Sequence, residues 1–221
     1  MNKMGQMIGQ LRMKAFSGLT RQNEKVTEYG DLKPLSDLPK RAVRRFSDLE
    51  RGVISCLMGL NENLEGGLGN TPIVLASRYG AMTNTLELLR LINQEETLSP
   101  TAFSLSVHNA AVGVASQLTK NQGGHTAIAA GERSLHEGLT ECYARLVDGQ
   151  EQVVLIYSDC QLVKEYAHFG QVDVDVQFAL LLDNPPETLD QDIHQISLDV
   201  QGAIDSLIGI NAGAVNLQWK M

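Results

Sequence analysis

The stretch from Gly123 to Ser134, G-G-H-T-A-I-A-A-G-E-R-S, constrains the fold of this chain more than any other. A short apolar run, Thr126 to Ala130, meets a glycine and passes at once into an amphipathic segment reaching about Val147. That order of residues predicts a strand, a sharp turn and a helix, the corner geometry that exposes a nucleophile in many α/β enzymes. Glu132 stands at its tip. A carboxylate suits the unpaired N–H groups and positive end of a new helix. Acyl transfer through a covalent intermediate instead calls for a cysteine or serine there.

The helix after Glu132 carries Leu135, Leu139, Cys142 and Leu146 on one face and Glu137, Glu141 and Arg145 on the other. Cys142 therefore reads as a small buried hydrophobe. Gln152–Ser158 and Pro72–Ser77 are short, continuously apolar runs of the kind buried on both faces of a sheet. Met82–Asn93 reads as a helix with Leu86, Leu89 and Ile92 on one side, ended by Thr97–Pro100. Phe103, Leu105 and Val107 alternate, predicting a half-buried strand or extended segment over Thr101–Asn109. A helix over Asn109–Thr119 follows, crowded with Ala110, Ala111, Gly113, Ala115 and Ser116, which suit close backbone approach either within the chain or at a subunit interface.

Towards the N-terminus, Leu11–Phe16 reads as a first strand and Gly18–Pro39 as a surface connection marked by Pro34 and Pro39. Val43, Phe46, Leu49, Val53, Ile54 and Met58 recur at helical spacing from Lys40 to about Leu60. Towards the C-terminus, Val172–Leu182 reads as a long strand whose first half has one wet face. Asn184-Pro185-Pro186 stops it, a final amphipathic helix follows along Leu189, Ile193, Ile196, Val200, Ile204 and Leu207, and Trp219 anchors the tail. Strands alternating with helices through the middle predict an α/β sheet with helices on both faces.

The 221 residues, 43% of them hydrophobic, suffice for one substantial core, and a single domain over 1–221 is the simplest count. No apolar run approaches the roughly 20 residues of a membrane span, so a soluble protein is expected. A net charge of −8 argues against a nucleic-acid surface, although Lys40, Arg41, Arg44, Arg45 and Arg51 concentrate positive charge in one segment, read first as a solvated helix face. Cys56, Cys142 and Cys160 lack CxxC spacing and fit reduced thiols in a cytoplasm. The loop N-L-E-G-G-L-G-N lacks the Lys-Ser/Thr of a phosphate-binding loop. His136 lies four residues after Glu132, and His108 and His125 could converge near the same corner, but there is no HExxH or Cys/His cluster and no metal is expected. Ser134 lacks a G-x-S-x-G setting, and no Ser-His-Asp triad has support.

Laid without gaps over the pattern G-P-x-x-x-x-x-T-A-C-x-S, the segment Gly123–Ser134 resembles that of a β-ketoacyl synthase, with Glu132 at the catalytic cysteine. Ser106-Val107-His108-Asn109 resembles the family's S-x-x-N, Gly113 falls on a family glycine, and Asp148-Gly149 with Val153–Tyr157 resembles the following turn and strand. The register holds over roughly residues 70 to 160, and Ala129-Ala130-Gly131-Glu132 is similar to the chain-length-factor branch, particularly its short aryl polyene form. The resemblance implies a thiolase-like fold, the N-terminal half of it, with a central mixed sheet and no cofactor.

It further implies a non-catalytic, cytoplasmic subunit that forms a heterodimer with a β-ketoacyl synthase in polyketide or fatty-acid-type biosynthesis and meets acyl carrier protein through that partner. The basic segment is then the alternative docking patch for such an acidic protein. Phe103, Leu105 and His108 become candidates for the acyl tunnel wall, and Asn109, Ala110 and Gly113 for the interface. Alone, the chain is expected to self-associate, and a second half carrying two histidines and a lysine is expected to be missing. The competing expectation is a malonyl or acyl thioester decarboxylase or hydrolase that uses Glu132.

Overall fold

Three continuously apolar strands form the middle of the molecule, because a run without polar side chains is stable only where both faces are covered. In the computed structural model, which describes residues 8–30, 32–169, 174–184, 193–195 and 215–220, these are β3 (Ile73–Ala76), β5 (Val153–Asp159) and most of β6 (Asp175–Asp183). They belong to an eight-stranded mixed sheet in the order β4-β3-β5-β6-β1-β8-β7, with β2 beside β1. Here β1 is Ile8–Gln22, β2 Lys25–Gly30, β4 His125–Ile128, β7 Ile193–Gln195 and β8 Val215–Lys220. Strands β4, β3 and β5 run parallel, and β6 and β1 antiparallel to their neighbours.

Helices cover both faces. On one side α2 (Asp48–Glu62) and α5 (Ala110–Thr119) bury Val53, Ile54, Leu57, Ala111, Val112 and Ala115 against Ile73, Leu75 and Ile156. On the other, α6 (Ser134–Val147) lays Leu135, Leu139, Cys142 and Leu146 over Val74, Leu155 and Leu180. Trp219 of β8 is buried in that second core and meets Tyr143 of α6 edge-on, with ring centroids 6.2 Å apart.

Several expectations are corrected. The first strand runs from Ile8 to Gln22, and the supposed surface connection contains β2, joined to β1 by Asn23 and Glu24 at φ 47° and 65°. Both turn residues are left-handed, as a two-residue hairpin matching the twist of its strands requires, though neither is glycine. The helical pattern from Lys40 is broken: α1 is Lys40–Val43, and the chain restarts at Ser47, whose hydroxyl accepts the Glu50 N–H while the Glu50 carboxylate takes the Ser47 N–H at 2.6 Å.

Pro100 begins a helix rather than ending one. Ser99 caps and Pro100 opens α4 (Pro100–Ser104), so Thr101–Asn109 is a short helix followed by turns, not a strand. On α3 (Met82–Asn93), Leu86 and Leu88 are buried, but Leu89 and Ile92 are exposed because α3 packs chiefly against α4 rather than lying on the sheet. Gln177, expected on a wet face of β6, is buried under α2, where a Cβ at Gly52 would stand 2.6 Å from its side chain. In the last segment Ile193–Gln195 is a strand parallel to β8, not part of a helix; the other residues of the expected helix lie outside the described residues.

Gly138 lets α6 settle onto the sheet, since a Cβ there would lie 2.9 Å from both Ala76 Cβ and Leu155 Cδ1. Gly138→Val is expected to destabilise the fold by about 1–3 kcal/mol through overpacking, read as a lowered urea midpoint at unchanged m-value.

Candidate functional site

Parallel strands bring the loops after β4, β3 and β5 to one end of the sheet, where sites in α/β folds are commonly built. After β4 the chain turns through Gly131, at φ +60°, and a single 3-10 turn, Gly131–Arg133, into α6. Ser134 ties this corner. Its buried hydroxyl donates to the Gly131 carbonyl at 2.7 Å and accepts the Ala130 N–H at 3.0 Å. Glu132 is exposed, and its carboxylate makes no hydrogen bond or ion pair among the described residues. The carboxylate therefore does not hold the corner's N–H groups. Arg133 pairs with Glu137, and the half-buried His136 places Nδ1 3.4 Å from the same carboxylate.

None of the three thiols stands at the corner. Cys56 and Cys142 are fully buried, and burial pushes the Cys56 thiol up to about 12 and that of Cys142 higher still. Cys160, half-buried just after β5, accepts from Gln177 Nε2 at 3.2 Å, and burial raises its thiol as well. Apolar surroundings such as those of Cys56 and Cys142 make thiols inert.

The loops after β3 and β5 are joined by a buried carboxylate. Asp159 Oδ1 accepts the Arg78 backbone N–H at 2.8 Å and the Ser77 hydroxyl at 3.3 Å; Oδ2 accepts the Tyr157 hydroxyl at 2.5 Å and pairs with the Arg78 guanidinium. Ser77 Oγ also accepts the Gly80 N–H at 2.9 Å. Asp159 holds Arg78 firmly in its charged form, while burial beside that carboxylate raises the Tyr157 phenol. The sequence reading passed over this network, although its signals were present: Ser-Arg-Tyr-Gly directly after one buried strand and a terminal Asp on the other.

The expected tunnel and interface residues lie on a strip between α3 and α5. Phe103 is 59% exposed and Val107 43%, and Leu105, His108, Ala110 and Gly113 are half-buried. His108 Nε2 lies 3.0 Å from the Ser77 carbonyl, past the carboxyl end of β3, and its ring sits against Gly80 at φ +58°. Asn109 is exposed at the start of α5 and makes no side-chain cap. Gly113 stands beside His125, whose Cε1 would lie 3.9 Å from a Cβ placed there, while Ala111, Val112 and Ala115 pack inward. The small residues of α5 thus serve internal packing on one face and leave the other accessible.

His125 does not join His108. It opens β4 opposite Ile73, at the other end of the parallel strands. Among the described residues no three His, Cys, Asp or Glu side chains are grouped to hold a metal ion, and no helix is long and apolar enough to cross a membrane.

A polar cavity of about 710 Å³ opens beside the start of α2, lined among others by Arg44, Arg45, Ser47, Tyr79, Asn84 and Cys160. It reaches neither the Glu132 corner nor Phe103. Beside two of its lining residues, Glu50 is fully buried, with Oε2 holding the Ser47 N–H and, at 3.4 Å, Asn84 Nδ2, and with Oε1 lacking a partner among the described residues. Burial raises its carboxyl above the usual range.

The family model described as the β-ketoacyl synthase N-terminal domain matches residues 19–205. No curated protein sequence matches. Among solved structures, the chain is similar to one from the complex of the ketosynthase ApeO with its chain length factor ApeC from Xenorhabdus doucetiae, at 20% identity and TM-score 0.72, over 96% of this chain and 98% of that one. The ishigamide ketosynthase/chain length factor is similar at 15% identity and TM-score 0.59, over 71% of this chain and 49% of that one. A β-ketoacyl synthase from Burkholderia phymatum is similar at 10% identity and TM-score 0.54, over 81% and 60%. The chain thus spans half to three-fifths of the latter two and nearly the whole of the first. At these identities the likeness establishes the fold, which is thiolase-like.

Ser134→Ala is expected to cost about 1–2 kcal/mol, because it leaves the Ala130 N–H without its acceptor while the Gly131 carbonyl keeps the Ser134 backbone N–H, whereas Glu132→Ala should stay within about 0.5 kcal/mol of wild type; thermal unfolding of both separates the residue that shapes the corner from the one that occupies it. Glu50 supplies a pH signature. Its folded carboxyl is raised, so its contribution is fully present below the unfolded pKa and is lost as pH rises through the folded value. Glu50→Gln is therefore expected to match wild type in acid and to gain stability over it towards neutral pH, measured by urea unfolding across that range.

Proposed function

This chain belongs to the β-ketoacyl synthase family through the N-terminal domain, and on that premise we propose that it is a chain length factor, a subunit without condensing chemistry that pairs with an active β-ketoacyl synthase and limits the acyl chain that synthase builds. The proposal takes residues 1–221 as one β-ketoacyl synthase N-terminal-like domain, working in the cytoplasm in aryl polyene biosynthesis of the polyketide or fatty-acid type. Acyl carrier protein is met through the partner.

The observation that carries the proposal is the corner after β4. Its tip is an exposed carboxylate without bound donors, and the thiols lie elsewhere, in the core or under Gln177. Attack by a carboxylate on a thioester would expel the thiolate and leave a mixed anhydride, higher in energy than the thioester it replaces, so a stable acyl-enzyme is disfavoured at this position. Partner binding has separate support. β4 is an edge strand of the sheet, whose outer N–H and C=O groups are open to pairing. Leu89, Ile92, Phe103 and Val107 expose apolar surface on α3, α4 and the turn that follows α4, and such exposure commonly marks a protein contact.

A wall is sufficient for the function. Side chains such as Phe103 and Leu105, projecting where two subunits meet, set how many carbon units fit, because forcing extra methylenes into a closed apolar space costs about 1–3 kcal/mol. The test is co-expression with the ketosynthase encoded nearest to this chain, pulling on a tag carried by this chain alone. A one-to-one complex whose products lengthen with Phe103→Ala or Leu105→Ala is expected. Failure to co-purify, together with thioester turnover by this chain alone that Glu132→Ala abolishes, would assign it a decarboxylase or hydrolase activity instead.

A further inference from the structure

The segment offered as the wall does not hold itself in place. α4 has five residues, far below the length at which a helix is stable without tertiary support, and it leans on α3 rather than on the sheet. Two side chains in the first turn of α3 reach the turn that follows α4. Asn84 Nδ2 donates to the Leu105 carbonyl at 3.0 Å, and Thr85 Oγ1 lies 3.5 Å from the Ser106 carbonyl. The threonine hydroxyl is closer to Ala81 O, at 3.2 Å, and has one hydrogen to give. Asn84 has two amide hydrogens, so it can hold Leu105 and also donate to Glu50 Oε2. Glu50 in turn is buried in α2 and is fixed there by the Ser47 N–H.

We propose that Asn84 is the positioning residue of the chain-length wall, passing the fixed placement of α2, through Glu50, to the Leu105 backbone and so to Phe103. The inference rests on the chain-length reading for its consequence, but not for its geometry. An amide at position 84 links a buried helix to a surface turn through two acceptors on different elements. A hydrocarbon side chain there would take the Asn84 donor from the Leu105 carbonyl and leave Glu50 with the Ser47 N–H alone.

The test uses the complex of this chain with its ketosynthase. Asn84→Ala is expected to speed amide hydrogen exchange over residues 105–108 within the intact complex and to shift products towards longer chains, as Phe103→Ala does. Glu50→Ala should reproduce both effects. Glu50→Gln, which keeps an acceptor oxygen for Ser47 N–H and Asn84, should reproduce neither. Unchanged exchange in Asn84→Ala overturns the positioning role whatever the products. Faster exchange with unchanged products, where Phe103→Ala does lengthen them, overturns the link from position to length. If Phe103→Ala leaves the products unchanged as well, the chain-length reading itself falls while the positioning by Asn84 stands. Should Asn84→Ala fail to assemble, the Glu50→Ala and Glu50→Gln pair decides by the same two readouts.

Discussion

A buried carboxylate is tolerated only when it is paired and its lone pairs are filled, and Asp159 meets that demand by drawing in four donors from two neighbouring strand ends. The consequence is architectural. Ser77, Arg78 and Tyr157 are locked together, Ser77 then seats Gly80, and its carbonyl meets His108. These bonds brace the loop after β3, and from it α3 begins. Removing Asp159 would leave Arg78 charged and largely buried with its partner gone, so the two strand ends and the whole strip from α3 to α5 depend on this one group.

What was legible in the sequence was whatever hydrophobic patterning alone decides. The continuous apolar runs of β3 and β5 and the stripe of α6 appear where their side chains predict, because burial on both faces or on one face leaves little freedom. The misreadings share a cause: short polar signals whose meaning depends on what lies across from them. Ser99-Pro100 can end a helix or begin one, and only the Ala102 N–H donating to Ser99 Oγ decides. Alternation at Phe103, Leu105 and Val107 suggests a strand, but among the described residues no strand lies beside it to pair with. Asn23-Glu24 carries no glycine, so its left-handed turn was silent.

The site was partly legible for the same reason. Gly131 and the strand-to-helix corner follow from local sequence, whereas the Ser47–Glu50 capping box lay hidden inside the continuous stripe from Lys40 to Leu60. Asn84 does not: an asparagine in the first turn of an amphipathic helix looks like solvent-facing polarity. Its meaning comes from two acceptors, 34 residues before it and 21 after it. Long-range hydrogen bonds of this sort leave no periodic trace.

At the corner, different residues set the turn and occupy its tip. In this chain the turn is set by Gly131, whose φ of +60° an L side chain resists, and by Ser134, which bonds both Ala130 and Gly131. The side chain at position 132 makes no bond among the described residues to that turn. One side chain there can be exchanged for another of similar exposure without disturbing the strand, the helix or the edge of the sheet at β4.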